Sequence, residues 1–69
     1  MDRIPVEYEV DGVTEHGSVT YKDGRVDLYW QDGQTMAMSL GGLRGISATQ
    51  PGLAREAYRT LYSKDLIPK

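Results

Sequence analysis

Residues 6–38 read VEYEV-DG-VTEHGSVTYK-DG-RVDLYWQ-DG-QTMAM, and the spacing of the three Asp-Gly pairs in this stretch decides the fold. Asp-Gly between runs of alternating apolar and polar residues is the strongest short-range hairpin signal, because the favoured two-residue turns need positive φ. Asp11-Gly12, Asp23-Gly24 and Asp32-Gly33 therefore predict a four-stranded antiparallel meander.

The register follows from the turns. A two-residue turn at Asp11-Gly12 sets Val10 opposite Val13, Glu9 opposite Thr14, Glu7 opposite His16, Val6 opposite Gly17 and Ile4 opposite Val19. A second at Asp23-Gly24 sets Tyr21 against Val26, Val19 against Leu28 and Gly17 against Trp30, and both hairpins agree on one inner face. A two-residue turn at Asp32-Gly33 would send Met36, Met38 and Leu40 to water. A three-residue loop, Gln31-Asp32-Gly33 with Gly33 left-handed as a G1 bulge, instead pairs Leu28 with Met36 and Val26 with Met38. Gly17 then leaves room for the Trp30 indole.

Beyond Leu40 the alternation stops. Gly41 to Ala48 reads as a plain connector with Leu43 and Ile46 tucked under a helix, and Thr49 or Gln50 followed by Pro51 opens that helix. Leu53, Ala54, Ala57, Tyr58, Leu61 and Tyr62 recur at helical spacing, with Arg55, Glu56, Arg59, Thr60 and Ser63 on the wet side. Lys64 suits the negative end of the helix dipole, and Pro68 requires the helix to be over by Leu66 or Ile67. The expected architecture is α+β: a meander with one C-terminal helix packed across one face (ββββα), a single domain over residues 1–69.

A domain of 69 residues buries roughly 60% of the surface its unfolded chain exposes, and with no cysteine it has no disulfide to support it. A homodimer is one way to supplement such a core. No apolar run is long enough to span a bilayer and no leader pattern opens the chain, so the expectation is a soluble, cytoplasmic protein without membrane contact. Residues 1–33 hold eight acidic and three basic side chains, and residues 34–69 hold two acidic and five basic ones. The sheet is acidic and the helix basic.

The motifs of chemistry are missing from the sequence. It holds no Ser-His-Asp or Cys-His set, no H-E-x-x-H, no calcium loop, and neither glycine-rich phosphate pattern. His16, the one histidine, falls opposite Glu7 as a cross-strand polar pair. The expectation is a non-enzyme with no cofactor and no metal. A nucleic-acid interface built on Arg44, Arg55 and Arg59 is the alternative. Against it stand the acidic balance, Glu56 between the arginines, and a sheet face carrying Glu7, Glu9 and Asp27 where RNA-binding sheets carry stacked aromatics.

Recognition of another protein is the reading that remains. The candidate contact surface is the outer sheet face, with Glu7, Glu9, Asp27 and Tyr29, together with the tip of the first hairpin. That hairpin overhangs the third strand, because Glu15 would meet Asp32 in the next loop, and so Tyr8, Val10 and Val13 form an apolar tip. The first and fourth strands add unpaired edges that suit a partner strand or a second copy.

Tyr21-Lys22-Asp23-Gly24-Arg25-Val26, then Leu40-Gly41-Gly42, then Pro51-Gly52-Leu53-Ala54-Arg55, resembles a scattered group of small uncharacterised bacterial proteins over about residues 6–62. The resemblance implies the meander-plus-helix fold and no site. In size and type the chain is also similar to phage and mobile-element inhibitors of host defence, the anti-CRISPR proteins among them. That analogy implies a small inhibitor that occupies a surface of a bacterial defence or nuclease complex.

Overall fold

Asp11 and Gly12 lie at φ 52° and 81°, and Asp23 and Gly24 at 51° and 84°. Positive φ at both central residues is the type I′ geometry, whose twist matches that of the strands it joins. The structure is a computed structural model that describes residues 3–49 and 52–68, with side chains described outside 47–49. Four strands, β1 (Ile4–Val10), β2 (Val13–Lys22), β3 (Arg25–Trp30) and β4 (Thr35–Ser39), form one antiparallel sheet in the order β1-β2-β3-β4. Every pairing derived from the turns is present, including Val6 with Gly17, Gly17 with Trp30 and Leu28 with Met36.

The third connection is the expected three-residue loop. Gly33 has φ 97° and its N–H donates to the Trp30 carbonyl at 3.1 Å, while the Trp30 N–H donates to the Gln34 carbonyl at 2.8 Å. Asp32 fixes the loop by accepting the Gln34 N–H on Oδ1 at 3.0 Å.

The segment after β4 departs from expectation: it is a helix, α1 (Leu40–Thr49), and not a plain connector. Glycines 41, 42 and 45 each disfavour a helix by roughly 1 kcal/mol relative to Ala, which is why the segment reads as a loop. Two contacts outweigh that cost. Ser39 caps the helix by accepting the Gly42 N–H on Oγ at 3.1 Å, and Leu43 is fully buried.

A second helix, α2 (Leu53–Ser63), carries the expected stripe, with Leu53, Ala57 and Leu61 buried and Tyr62 at the exposed margin. Gln50 and Pro51 and the Thr49 side chain, expected to open it, lie outside the described residues. Gly52 immediately precedes α2 and caps it without a side chain, its carbonyl accepting the Glu56 N–H at 3.1 Å. At the far end the Leu66 N–H reaches the Leu61 carbonyl and the Asp65 N–H reaches the Tyr62 carbonyl, a Schellman pair with Asp65 in the left-handed region at φ 61°. The reversal buries Ile67, and Arg44 of α1 donates to the Pro68 carbonyl.

Both helices lie on one face of the sheet. Val6, Val19, Val26 and Leu28 form its buried floor, roofed by Leu43, Leu53, Ala57 and Leu61. The gap at Gly17 is filled by Leu53 and not by the Trp30 indole. A Cβ there would stand 2.7 Å from Leu53 Cδ1 and 2.9 Å from the Tyr29 carbonyl oxygen. Among the described residues no helix is long and apolar enough to cross a membrane.

Candidate interaction surface

Period-2 alternation sends the candidate residues to two different sides of the sheet. Glu7, Glu9, Asp27 and Tyr29 project from the uncovered outer face, whereas Tyr8, Val10 and Val13 project from the inner face near the end that the helices leave open. One partner contacting both sets would have to wrap around β1.

The outer face is largely engaged with itself. Arg25 Nε donates to Asp27 Oδ1 at 3.2 Å, and the Thr20 hydroxyl lies 3.4 Å from Asp27 Oδ2 and 3.5 Å from the Tyr29 hydroxyl. Thr20 is only 4% exposed although it faces outward, because these neighbours close over it. The Arg3 guanidinium sits 3.8 Å from the Tyr29 ring centroid, a cation–π contact that occupies the one outward aromatic. His16 Nδ1 stands 3.6 Å from Glu7 Oε1, the cross-strand pair the register requires. Two cations thus bracket Tyr29 and Asp27, and Glu9, exposed opposite Thr14, is left at the β1 margin.

The tip of the first hairpin is different in kind. β2 residues 13–16 pair with β1 alone, since β3 begins its pairing with β2 at Gly17–Trp30. Beyond the reach of β3 the inner face is bare: Val10 is 44% exposed and Val13 58%, with Met36 on β4 at 46%. Between tip and helices runs a groove of about 360 Å³, walled by Tyr8, Val10, Trp30, Met36, Ile46 and Ala54. Leu53 and Ala54 form its α2 wall, and neither Tyr58 nor Tyr62 lines it. These tyrosines pack against each other instead, with ring centroids 6.0 Å apart and planes tilted by 40°.

The groove has an acidic rim. Burial raises the Tyr8 phenol above its ordinary value, and the Glu15 and Asp32 carboxylates push it further in the same direction. Asp11 and Asp32 are exposed around the same tip. The arrangement offers apolar walls with negative charge at the margin.

Among the arginines of the alternative reading, Arg59 pairs with Glu56 at 3.2 Å and Arg44 holds the Pro68 carbonyl. Arg55 is exposed on α2. The chain matches no protein-family model, no curated protein and no solved structure.

Sequence reasoning found the tip through the overhang but missed Trp30, Met36, Ile46 and Ala54 as groove walls. Trp30 opposite Gly17 was the available signal for a large side chain on the inner face. Its place in the groove depends on where α1 ends and α2 begins.

Proposed function

We propose that this chain is a non-enzymatic module that binds another protein, with the groove and hairpin tip as its contact surface. The observation that carries the reading is the exposure of Val10 and Met36 in the walls of an apolar groove, with Val13 exposed opposite Val10 at the tip. Large exposed apolar side chains gathered in one place, unlike single scattered ones, mark an interface. The rim narrows the chemistry of the partner. Asp11, Glu15 and Asp32 favour a bulky apolar anchor flanked by lysine or arginine.

The most concrete form is an inhibitor that occupies a surface of a bacterial defence or nuclease complex. Support for that form comes from size, from class and from the basic surfaces that nucleic-acid-handling complexes present to an acidic rim. Affinity capture from bacterial lysate after nuclease treatment tests it. The expected result is a stoichiometric protein, retained by wild type and lost with Val13→Glu while the melting temperature stays nearly unchanged. Glu7→Lys with Glu9→Lys separates the two faces: intact capture assigns the contact to the groove, and lost capture transfers it to the outer face. Recovery of nucleic acid alone, abolished by Arg55→Glu and Arg59→Glu and fading steeply with salt, would overturn the reading.

A further inference from the structure

A sheet of four strands has two edges, and this one guards only the first. In antiparallel pairing, alternate residues turn their peptide groups toward the neighbouring strand and the rest turn them away. The Asp11-Gly12 turn closes on Val10 and Val13, so Ile4, Val6, Tyr8 and Val10 bond to β2 while Pro5, Glu7 and Glu9 face outward. Pro5 has no N–H to offer, and the two carboxylates are exposed beside it. Such edges resist strand addition.

On β4 the phase is fixed at both ends. Trp30 bonds to Gln34 and the Leu40 N–H donates to the Gly24 carbonyl at 2.8 Å, so Met36 and Met38 face β3 between them. The outward peptide groups belong to Thr35, Ala37 and Ser39, all exposed, uncharged and small. None is proline, and the strand carries no charged side chain along its five residues. Gly41 and Gly42 keep the first turn of α1 thin beside this edge.

We infer that β4 is the edge through which the chain pairs antiparallel with a second copy of itself, Ala37 opposite the second copy's Ala37, giving a continuous eight-stranded sheet. Among neighbouring registers this one engages the edge most fully. Centring on Ala37 sets Thr35 across from the second copy's Ser39, which uses all three outward peptide groups on each side. Centring on Met36 or Met38 would keep the outward groups in phase but engage only two outward residues on each side, Thr35 and Ala37 or Ala37 and Ser39. In the Ala37 register Met36 faces the second copy's Met38 on the inner side, which covers apolar surface now 46% exposed. No charge meets a like charge in any pair. The two readings share Met36 and Met38, which line the groove, and are told apart at Ala37, which does not, and at Val13, which lies off the β4 edge.

Sedimentation velocity on the full chain over a wide concentration range tests it. Wild type is expected to move from monomer to dimer as concentration rises. Ala37→Pro removes an outward N–H without disturbing the β3 ladder and is expected to weaken association at least about tenfold, with circular dichroism unchanged. Ala37→Lys and Ala37→Glu are each expected to run as monomers, because each sets like charges across the two-fold axis. Mixed together they re-form a one-to-one dimer. That rescue keeps the test decisive even where the proline variant fails to fold. A wild type that stays monomeric throughout, an Ala37→Pro dimer as tight as wild type, or a charge mixture that does not recombine would each overturn the inference.

Discussion

α1 and α2 roof the same sheet face, yet they are helical for opposite reasons. α2 carries its own instruction, an apolar stripe of Leu53, Ala57 and Leu61 on a run of good helix formers. α1 carries three glycines in ten residues and, among its described side chains, a single fully buried one, Leu43. What holds it is a cap at one end and one deep anchor in the middle. The difference shows that a helix too weak to exist alone is made by its place in a core already assembled from stronger pieces.

The comparison is broken most severely at the two anchors. Leu43→Ala and Leu61→Ala are expected to cost about 2–5 kcal/mol each in denaturant unfolding, the same range despite the unequal helices, because both side chains are fully buried. A Leu43→Ala cost close to zero would reduce α1 to a passive cover. Next in size is Gly17→Ala, which forces α2 away from the sheet by meeting Leu53 and the Tyr29 carbonyl oxygen; overpacking of this kind costs roughly 1–3 kcal/mol and lowers the melting temperature.

Smaller changes sharpen the contrast on α1 alone. Ser39→Ala removes the cap and is expected to destabilise by about 1 kcal/mol. Gly45→Ala acts in the other direction by about 1 kcal/mol, since a Cβ there enters open space. The two together should nearly cancel, which a double-mutant cycle on the melting curves checks.

The same contrast explains what could be read in advance. Strand number, register and the three-residue third loop were legible because period-2 alternation and Asp-Gly geometry are local, and a one-residue slip would expose every core side chain. α2 was legible for the same reason, its period being intact. α1 was not, because Leu43 and the Ser39 cap outweigh glycine only once β3, β4 and α2 stand around them. Ile67 was missed because its burial depends on a reversal at Asp65, an αL position where glycine or asparagine is the usual marker. For the candidate site, the overhang made the tip readable, with Val10 and Val13 bare and Tyr8 half-buried beside them. The groove wall at Trp30 and Ile46, and the Arg3 stack that occupies Tyr29, come from pieces distant in sequence and leave no local trace.

The strand order β1-β2-β3-β4 has a consequence in time. Each strand pairs with the one just before it, so loop closure is short and the sheet can zip from any of its three hairpins without awaiting a distant partner. The roof comes later in the chain: Leu53, Leu61 and Ile67 all follow the sheet they cover. During synthesis the meander is therefore complete in its hydrogen bonds while its inner face is still wet, and that interval, more than the finished fold, is when this chain is most exposed to capture by other unfolded segments.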